Sequence, residues 1–205
     1  SYSIDTAMEL CRRHGWPKEN IMLSTDSDKI AAVAGTCGLE TGYRRPPELA
    51  TDSAGSREMM LHAADTARES GIEFDYILLL QPTSPFRTVE DVEGCIDIYE
   101  KETPDMAVSV KETSANPYYN CFETDPSTGT LHISKGDGQL TRRQDAPRAW
   151  EFNGAVYAIN PASLAMMPMG SFPRRLPYEM PAERSVDLDT PLDWIVAEAM
   201  ISLKK

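Results

Sequence analysis

Apolar and polar positions divide the chain into short segments whose period switches between two residues and about three and a half, the signature of strands alternating with helices. Ser1 to His14 places Ile4, Ala7, Met8, Leu10 and Cys11 on one side and stops at Gly15 and Pro17, which predicts a helix. Ile21 to Thr25 reads as a short strand, and Asp26-Ser27-Asp28 then cap a helix from Lys29 to Cys37 that Gly38 ends. Glu40 to Tyr43 predicts a further strand, and Ser56 with Glu58 opens a helix that reaches Ser70. Ile77 to Leu80 is an uninterrupted apolar run, as expected of a central strand buried between two helical layers. Thr88 caps a helix over 89–101, with Glu90 and Asp91 suited to its first turn. Met106 to Lys111 alternates as a strand with Met106, Val108 and Val110 on one face, and Phe152 to Ile159 reads as another. Pro191 begins a last helix, carrying Trp194 and running to Lys205. The repeated order of strand, polar turn and helix predicts an α/β domain with a mostly parallel sheet.

Two stretches break this rhythm. After Leu80 the chain reads Gln-Pro-Thr-Ser-Pro-Phe-Arg-Thr, where Pro82 and Pro85 forbid further ladder pairing and force a turn. Polar groups therefore gather at the carboxyl end of a buried strand, where open α/β sheets place their ligands. From Thr113 to Trp150, Asn116, Pro117, Asp125, Pro126, Gly129, Gly136, Asp137, Gly138 and Pro147 leave only short pieces, with hairpins expected near 120–123 and 130–134. A segment this long with so little core of its own is a functional lid or an arm held by another chain.

Composition narrows the classes. The 205 residues suit a single domain, 1–205, with 113–150 as its arm, and 41% hydrophobic and 25% charged residues are globular values. A formal charge of −12 excludes a broad basic face for nucleic acid. No apolar run is long enough to span a membrane, and Asp5, Glu9, Arg12 and Arg13 interrupt any signal-peptide pattern. Cys11, Cys37, Cys95 and Cys121 are widely spaced, which reads as reduced thiols in a cytoplasmic protein, and His14, His62 and His132 have no zinc-ligand spacing. Arg44 with Arg45, Arg142 with Arg143 and Arg148, and Arg174 with Arg175 supply local basic clusters of the size a small anion needs.

Candidate chemistry lies in four places. Arg45, the hydroxyls that follow it and the helix start at Ser56 suit a nucleotide's phosphate or base. Asn153-Gly154, inside an apolar alternation, marks a bulge, a plain turn, or backbone closely approached by a ligand. Read as a strand, Arg184 to Asp189 sets Asp187 and Asp189 on one side, roughly 7 Å apart, with Val186 and Leu188 inward. Such carboxylates can share a Mg²⁺-type cation, although Pro191 also makes Asp189 or Thr190 a helix cap. Asp26 is likewise readable as an N-cap alone.

The stretch Leu-Leu-Gln-Pro-Thr-Ser-Pro-Phe-Arg, 79–87, resembles the signature loop of the acylneuraminate cytidylyltransferases. The resemblance continues in order through Ser-Thr-Asp at 24–26, Arg-Pro-Pro-Glu-Leu-Ala-Thr-Asp at 45–52, Arg-Gln at 143–144, Asn-Gly-Ala-Val-Tyr at 153–157 and Asp-Leu-Asp-Thr at 187–190. It implies a three-layer, Rossmann-like nucleotidyltransferase domain with a mixed, mainly parallel sheet and a β arm that packs across a homodimer. The implied reaction transfers CMP from CTP to the anomeric hydroxyl of a nine-carbon 2-keto sugar acid, with release of pyrophosphate. Asp187 and Asp189 would hold Mg²⁺; Arg45, Ser56 and Asp26 would face the nucleotide; Gln81, Gln144, Asn153 and a partner's Arg143 would face the sugar acid. The resemblance also implies that a strand and a Gly- and Lys/Arg-rich nucleotide loop precede Ser1, and that the chain starting at Ser1 can be inactive without them. Two other readings compete. One is a metal-dependent glycosyltransferase built on the Asp-x-Asp pair, against which that pair's late position speaks. The other is a non-catalytic sugar-acid or nucleotide-binding module that assembles without turnover.

Overall fold

The computed structural model describes residues 2–40, 42–51 and 55–203. Six helices and six strands follow one another as α1 (Tyr2–His14), α2 (Asp28–Thr36), α3 (Ser56–Glu69), β1 (Ile77–Leu79), α4 (Val89–Glu102), β2 (Met106–Glu112), β3 (Phe122–Thr124), β4 (Leu131–Ile133), β5 (Trp150–Ile159), α5 (Pro161–Met166), β6 (Arg175–Glu179) and α6 (Pro191–Leu203). None of the described helices is long and apolar enough to cross a membrane. Helix boundaries fall where capping chemistry puts them. The Ser27 side chain accepts from the Ile30 N–H at the start of α2, and Thr88 and Asp91 form a reciprocal capping box at the start of α4.

The main sheet has the order β1-β5-β2-β6. β5 runs antiparallel to both β1 and β2, and β6 lies parallel to β2, so three strands share one direction and β5 opposes them. Helices cover both faces. Leu10 of α1 and Val92, Cys95 and Ile96 of α4 pack with Ala155, Val156 and Leu78 on one side. Met60 of α3 and Leu164 of α5 pack with Met106, Val108, Val110, Ile159, Ile77 and Leu79 on the other. The expected face of β2 is thus the one that meets α3 and α5. α4 approaches closely enough that a Cβ on Gly94 would collide with the Tyr178 ring of β6.

Three sequence expectations are corrected. Ile77 to Leu80 is the predicted two-faced apolar strand, but β1 forms an edge of the described sheet, and β5 and β2 take the centre. Apolar faces report the layers above and below a strand and carry no information about its lateral neighbours. Residues 21–25 and the described part of 40–43 form no ladder; the main-chain bond that ties this region together runs from the Arg45 N–H to the Thr25 carbonyl. Ile21, Met22 and Leu23 are half-buried and Tyr43 is buried, all without strand pairing. The segment holding Asp187 and Asp189 is also outside any strand, anchored by the Leu188 N–H to the Thr83 carbonyl, and Val186 and Leu188 are half-buried.

The arm contains one two-stranded sheet, β3 against β4, with Phe122 opposite Ile133 and Thr124 opposite Leu131. Asn116 closes its base by donating to the Pro147 carbonyl at 2.8 Å. Phe122 and Leu131 remain 53% and 69% exposed. Leu192, Trp194, Ile195 and Leu203 of α6 are exposed as well.

Asp91 is fully buried and joins α4 to the turn at 182–184. It accepts from Arg184 Nε and Nη2 at 2.9 and 2.8 Å and from the Thr88 N–H at 3.0 Å. Burial alone would raise its pKa, but the Arg184 and Thr88 bonds outweigh that and hold it below the ordinary carboxylate range. A depressed folded-state pKa gives stability that is complete above the unfolded value of about 4 and is lost as pH falls through the folded value. Asp91→Asn is therefore expected to cost about 2 kcal/mol at neutral pH, since Arg184 is partly solvated and the amide keeps one acceptor. Thermal melts across pH 3 to 7 check this: the gap between wild type and variant should hold above about pH 4 and narrow as the pH falls below it. A gap that stays constant with pH would contradict the assignment.

Candidate functional site

At the carboxyl end of β1 the chain turns through Gln81 to Thr88 before α4 begins, and this loop meets β5 and the segment after Ser185. β5 makes that meeting possible. Its register against β2 shifts between Val108, opposite Tyr157, and Val110, opposite Phe152. Within this bulge Gly154 has φ +74°, a conformation that L side chains rarely adopt. A Cβ there would lie 2.8 Å from Gln81 Oε1 and 3.2 Å from Asp187 Oδ2. The missing side chain leaves room for the Gln81 amide and the Asp187 carboxylate to converge over the same backbone atom.

Asn153 sits beneath this point, 3% exposed. Its amide donates to Ser185 Oγ at 2.9 Å and to Met180 Sδ, and its oxygen accepts from Ser109 Oγ at 2.6 Å and from the Ala155 N–H at 3.1 Å. Ser109 Oγ also accepts from the Val156 N–H at 2.8 Å, a bond the interrupted ladder does not supply. The side chain that sequence reading placed against a ligand thus holds β2, the β5 bulge and Ser185 together.

The loop is fixed from below by Arg87, 5% exposed. Arg87 Nη1 donates to the carbonyls of Gln81 and Ala155 at 3.1 and 2.7 Å, and Nη2 donates to Ser3 Oγ at 2.7 Å. Burial pushes this guanidinium down to about 10, opposed by the charge of Asp91, so it stays protonated at neutral pH. Among the described residues, the buried side-chain polar atoms without a hydrogen-bond partner are Ser84 Oγ, Arg87 Nε and Asp187 Oδ1. Two belong to this loop and the third to the carboxylate facing it. Buried polar atoms are normally paired, so orphans confined to one place mark it as built for something besides folding.

Asp189 is exposed, two residues beyond Asp187. Its N–H donates to Asp193 Oδ2 at 3.1 Å, as do the N–H and hydroxyl of Thr190, while the Asp193 N–H donates back to Thr190 Oγ1. Thr190 and Asp193 therefore cap α6 and leave the Asp189 carboxylate outside these bonds. An Asp187 oxygen without a partner, two residues in sequence from a second carboxylate, has the donor chemistry of an ion of the Mg²⁺ type, which takes one or two carboxylates and completes its shell with water and phosphate oxygens. No cluster of three or more His, Cys, Asp or Glu ligands occurs among the described residues.

The remaining predicted residues lie on other segments. Arg45 bonds Ser24 through Nε to the hydroxyl at 3.1 Å and through Nη2 to the carbonyl at 2.6 Å, with Asp26 exposed nearby in sequence. A cavity of about 320 Å³ borders this region, lined among others by Leu23, Thr25, Asp28, Tyr43 and Arg44. Ser56 is the exposed first residue of α3. Arg143 and Gln144 are exposed in a turn of the arm, where Arg143 Nη2 reaches the Thr113 carbonyl at 3.1 Å. Among the described residues, Arg44, Arg142, Arg148 and Arg174 pair with carboxylates, whereas Arg45 and Arg143 do not. Sequence reading missed Ser84, Arg87, Ser109 and Ser185. Arg87 was legible only as a charge between a proline and a helix cap, and the serines carry no periodic signal.

No family model matches the chain. Among curated proteins it is 31% identical over 188 residues to the CMP-N,N'-diacetyllegionaminic acid synthase of Legionella pneumophila, covering 91% of this chain and 80% of that one. It is 30% identical over 194 residues to an N-acylneuraminate cytidylyltransferase of Streptococcus agalactiae, covering 95% of this chain and 45% of that longer protein. Among solved structures, a CMP:2-keto-3-deoxy-manno-octonic acid synthetase complexed with CTP superposes with TM-score 0.63 at 16% identity, over 99% of this chain and 88% of that one, which shows the shared α/β fold. With the likeness to the Legionella protein extending over most of both sequences, the chain belongs to the acylneuraminate cytidylyltransferase family.

Proposed function

We propose that the protein transfers CMP from CTP to the anomeric hydroxyl of a nonulosonic acid. The observation that carries this reading is that, among the described residues, the orphaned buried side-chain atoms belong to Ser84, Arg87 and Asp187, around the point where Gln81 and Asp187 meet at Gly154. In the reaction the anomeric oxygen forms a bond to the α-phosphorus of CTP as the bond from that phosphorus to the α,β-bridging oxygen breaks. Pyrophosphate leaves with the electron pair, and the hydroxyl loses its proton. Chemistry of this kind needs positioning and charge neutralisation more than a covalent nucleophile.

Each side chain then has a role that its place supports. Asp187 and Asp189 would hold Mg²⁺, which when bound supplies positive charge against the phosphates and the developing alkoxide. Gln81, an amide beside Asp187, orients the sugar acid's hydroxyls. Arg45, with Asp26 and Ser56, faces the nucleotide, its guanidinium free of carboxylate competition among the described residues. Asn153 acts by holding the bulge rather than by touching substrate. Arg143 and Gln144 of a second copy reach the sugar acid's carboxylate, for which a guanidinium is apt. That last role needs a dimer, and the exposed apolar Phe122 and Leu131 of the arm support one. Residues 1–205 act as one domain with 113–150 as the arm, and the four free cysteines suit a cytoplasmic setting where CTP is made.

Pyrophosphate release from CTP, Mg²⁺ and N-acetylneuraminate or a diacetylated nonulosonate tests the reading on the full-length protein. Asp187→Asn is expected to lower kcat by at least about a hundredfold while leaving the thermal transition within a few degrees; near-normal turnover with normal Mg²⁺ dependence would remove Asp187 from the metal site. For Gly154→Ala, the added methyl at positive φ should cost about 1–3 kcal/mol of stability and depress kcat by displacing Gln81. A fully active, fully stable alanine variant would contradict the close approach. In sedimentation equilibrium, the wild type should be dimeric and Phe122→Asp with Leu131→Asp monomeric, with sugar-acid use lost; a wild-type monomer with full activity would discard the shared site.

A further inference from the structure

Arg87 has no part in the roles assigned so far. We propose that it is a positioning residue for the transfer step: its buried guanidinium sets the Gln81 peptide against the Gly154 bulge and so fixes the distance between the Gln81 amide and the Asp187 carboxylate. This rests on the reading of that junction as the cytidylyltransferase centre.

The geometry argues for a clamp rather than a filler. One nitrogen, Nη1, bridges the carbonyl of Gln81, at the end of β1, and the carbonyl of Ala155, the residue after Gly154. These two carbonyls belong to the two segments whose separation decides whether Gln81 Oε1 can reach over Gly154. Nη2 donates to Ser3 Oγ, which in turn donates to the same Gln81 carbonyl at 3.1 Å. The Gln81 peptide is therefore held twice, once directly and once through the first turn of α1.

The charge makes an ordinary structural role a poor explanation. Among the described residues no carboxylate lies within ion-pair distance of Arg87, whose Nε is buried without a partner. A buried cation satisfied by two carbonyls and a hydroxyl costs stability relative to an apolar side chain of the same shape. A fork of coplanar donors is what lets one side chain span two strands and a helix; a lysine ammonium concentrates its donors at one point and cannot reach all three. The cost of burying the charge is understandable if the arrangement it imposes is used by the reaction.

Arg87→Gln, Arg87→Lys and Ser3→Ala in the full-length protein test this, with kinetics and amide hydrogen exchange read on the same samples. In Arg87→Gln, kcat should fall about a hundredfold, as expected for a displacement of about 1 Å at a reacting group, while KM for CTP stays within about threefold. Arg87→Lys should recover part of the loss, and Ser3→Ala should lose less than either. Because Arg87 acts through Gln81, the double variant Arg87→Gln with Gln81→Ala should be no slower than the worse single variant. Exchange at 153–156 and at the Gln81 amide should speed up by about tenfold or more while α3 stays protected. A folded Arg87→Gln variant with near-normal kcat, or multiplicative losses in the double variant, would overturn the proposal. If Arg87→Gln fails to fold, Arg87→Lys decides: wild-type kcat overturns the role, and a selective kcat loss supports it. Should the wild type release no pyrophosphate from any nonulosonate, the catalytic reading fails, and the exchange data alone still accept or reject the clamp.

Discussion

β5 lies between β1 and β2 and bonds to both, so any irregularity in it is transmitted to each side of the sheet. Its irregularity is the bulge at Asn153-Gly154. A regular ladder there would put a side chain where Gln81 Oε1 and Asp187 Oδ2 converge and would turn Asn153 out of its pocket. The bulge persists because its unpaired main-chain groups find other partners: Ser109 Oγ takes the Val156 N–H, Asn153 Oδ1 takes the Ala155 N–H, and Arg87 takes the Ala155 carbonyl. Two of these bonds end on residues from other parts of the fold, Ser109 of β2 and Arg87 of the loop after β1. The local departure from strand geometry is thereby stabilised by the whole sheet.

Two buried charges perform the corresponding task for the loops. Asp91 caps α4 and receives Arg184, which sets where the chain leaves the 182–184 turn on its way to Asp187. Arg87 donates to the Gln81 carbonyl and to Ser3 Oγ, which sets where the chain leaves β1. Both lie within five residues in sequence, Arg87 to Asp91, so the start of α4 anchors both sides of the junction. Asp91 sits in the first turn of the capped helix and Arg87 immediately precedes its cap Thr88, which limits how far the junction can relax. The basic clusters elsewhere divide by the same logic. Those paired with carboxylates stiffen the surface modestly, whereas Arg45 and Arg143 pair with no carboxylate among the described residues and bond Ser24 and the Thr113 carbonyl instead.

The sequence by itself determined the class of fold and most helix limits. Periodicity records which faces of a segment meet the core, and caps and prolines record where it ends. That is why Thr88, the two faces of Ile77 to Leu80, the β5 strand and the loop at its side were all legible. The order of short polar motifs was legible too, through the family they resemble. What only the tertiary structure decided is the lateral arrangement: β1 at an edge, residues 21–25 without a ladder, Asp187 and Asp189 outside a strand, and Asn153 turned inward. Pairing between strands and the bonds of single serines or arginines depend on partners tens of residues away, and no local pattern of apolar and polar positions encodes which partner arrives. The role of Arg87 belongs to this second kind, because the three groups it joins meet only when β1, β5 and α1 have packed.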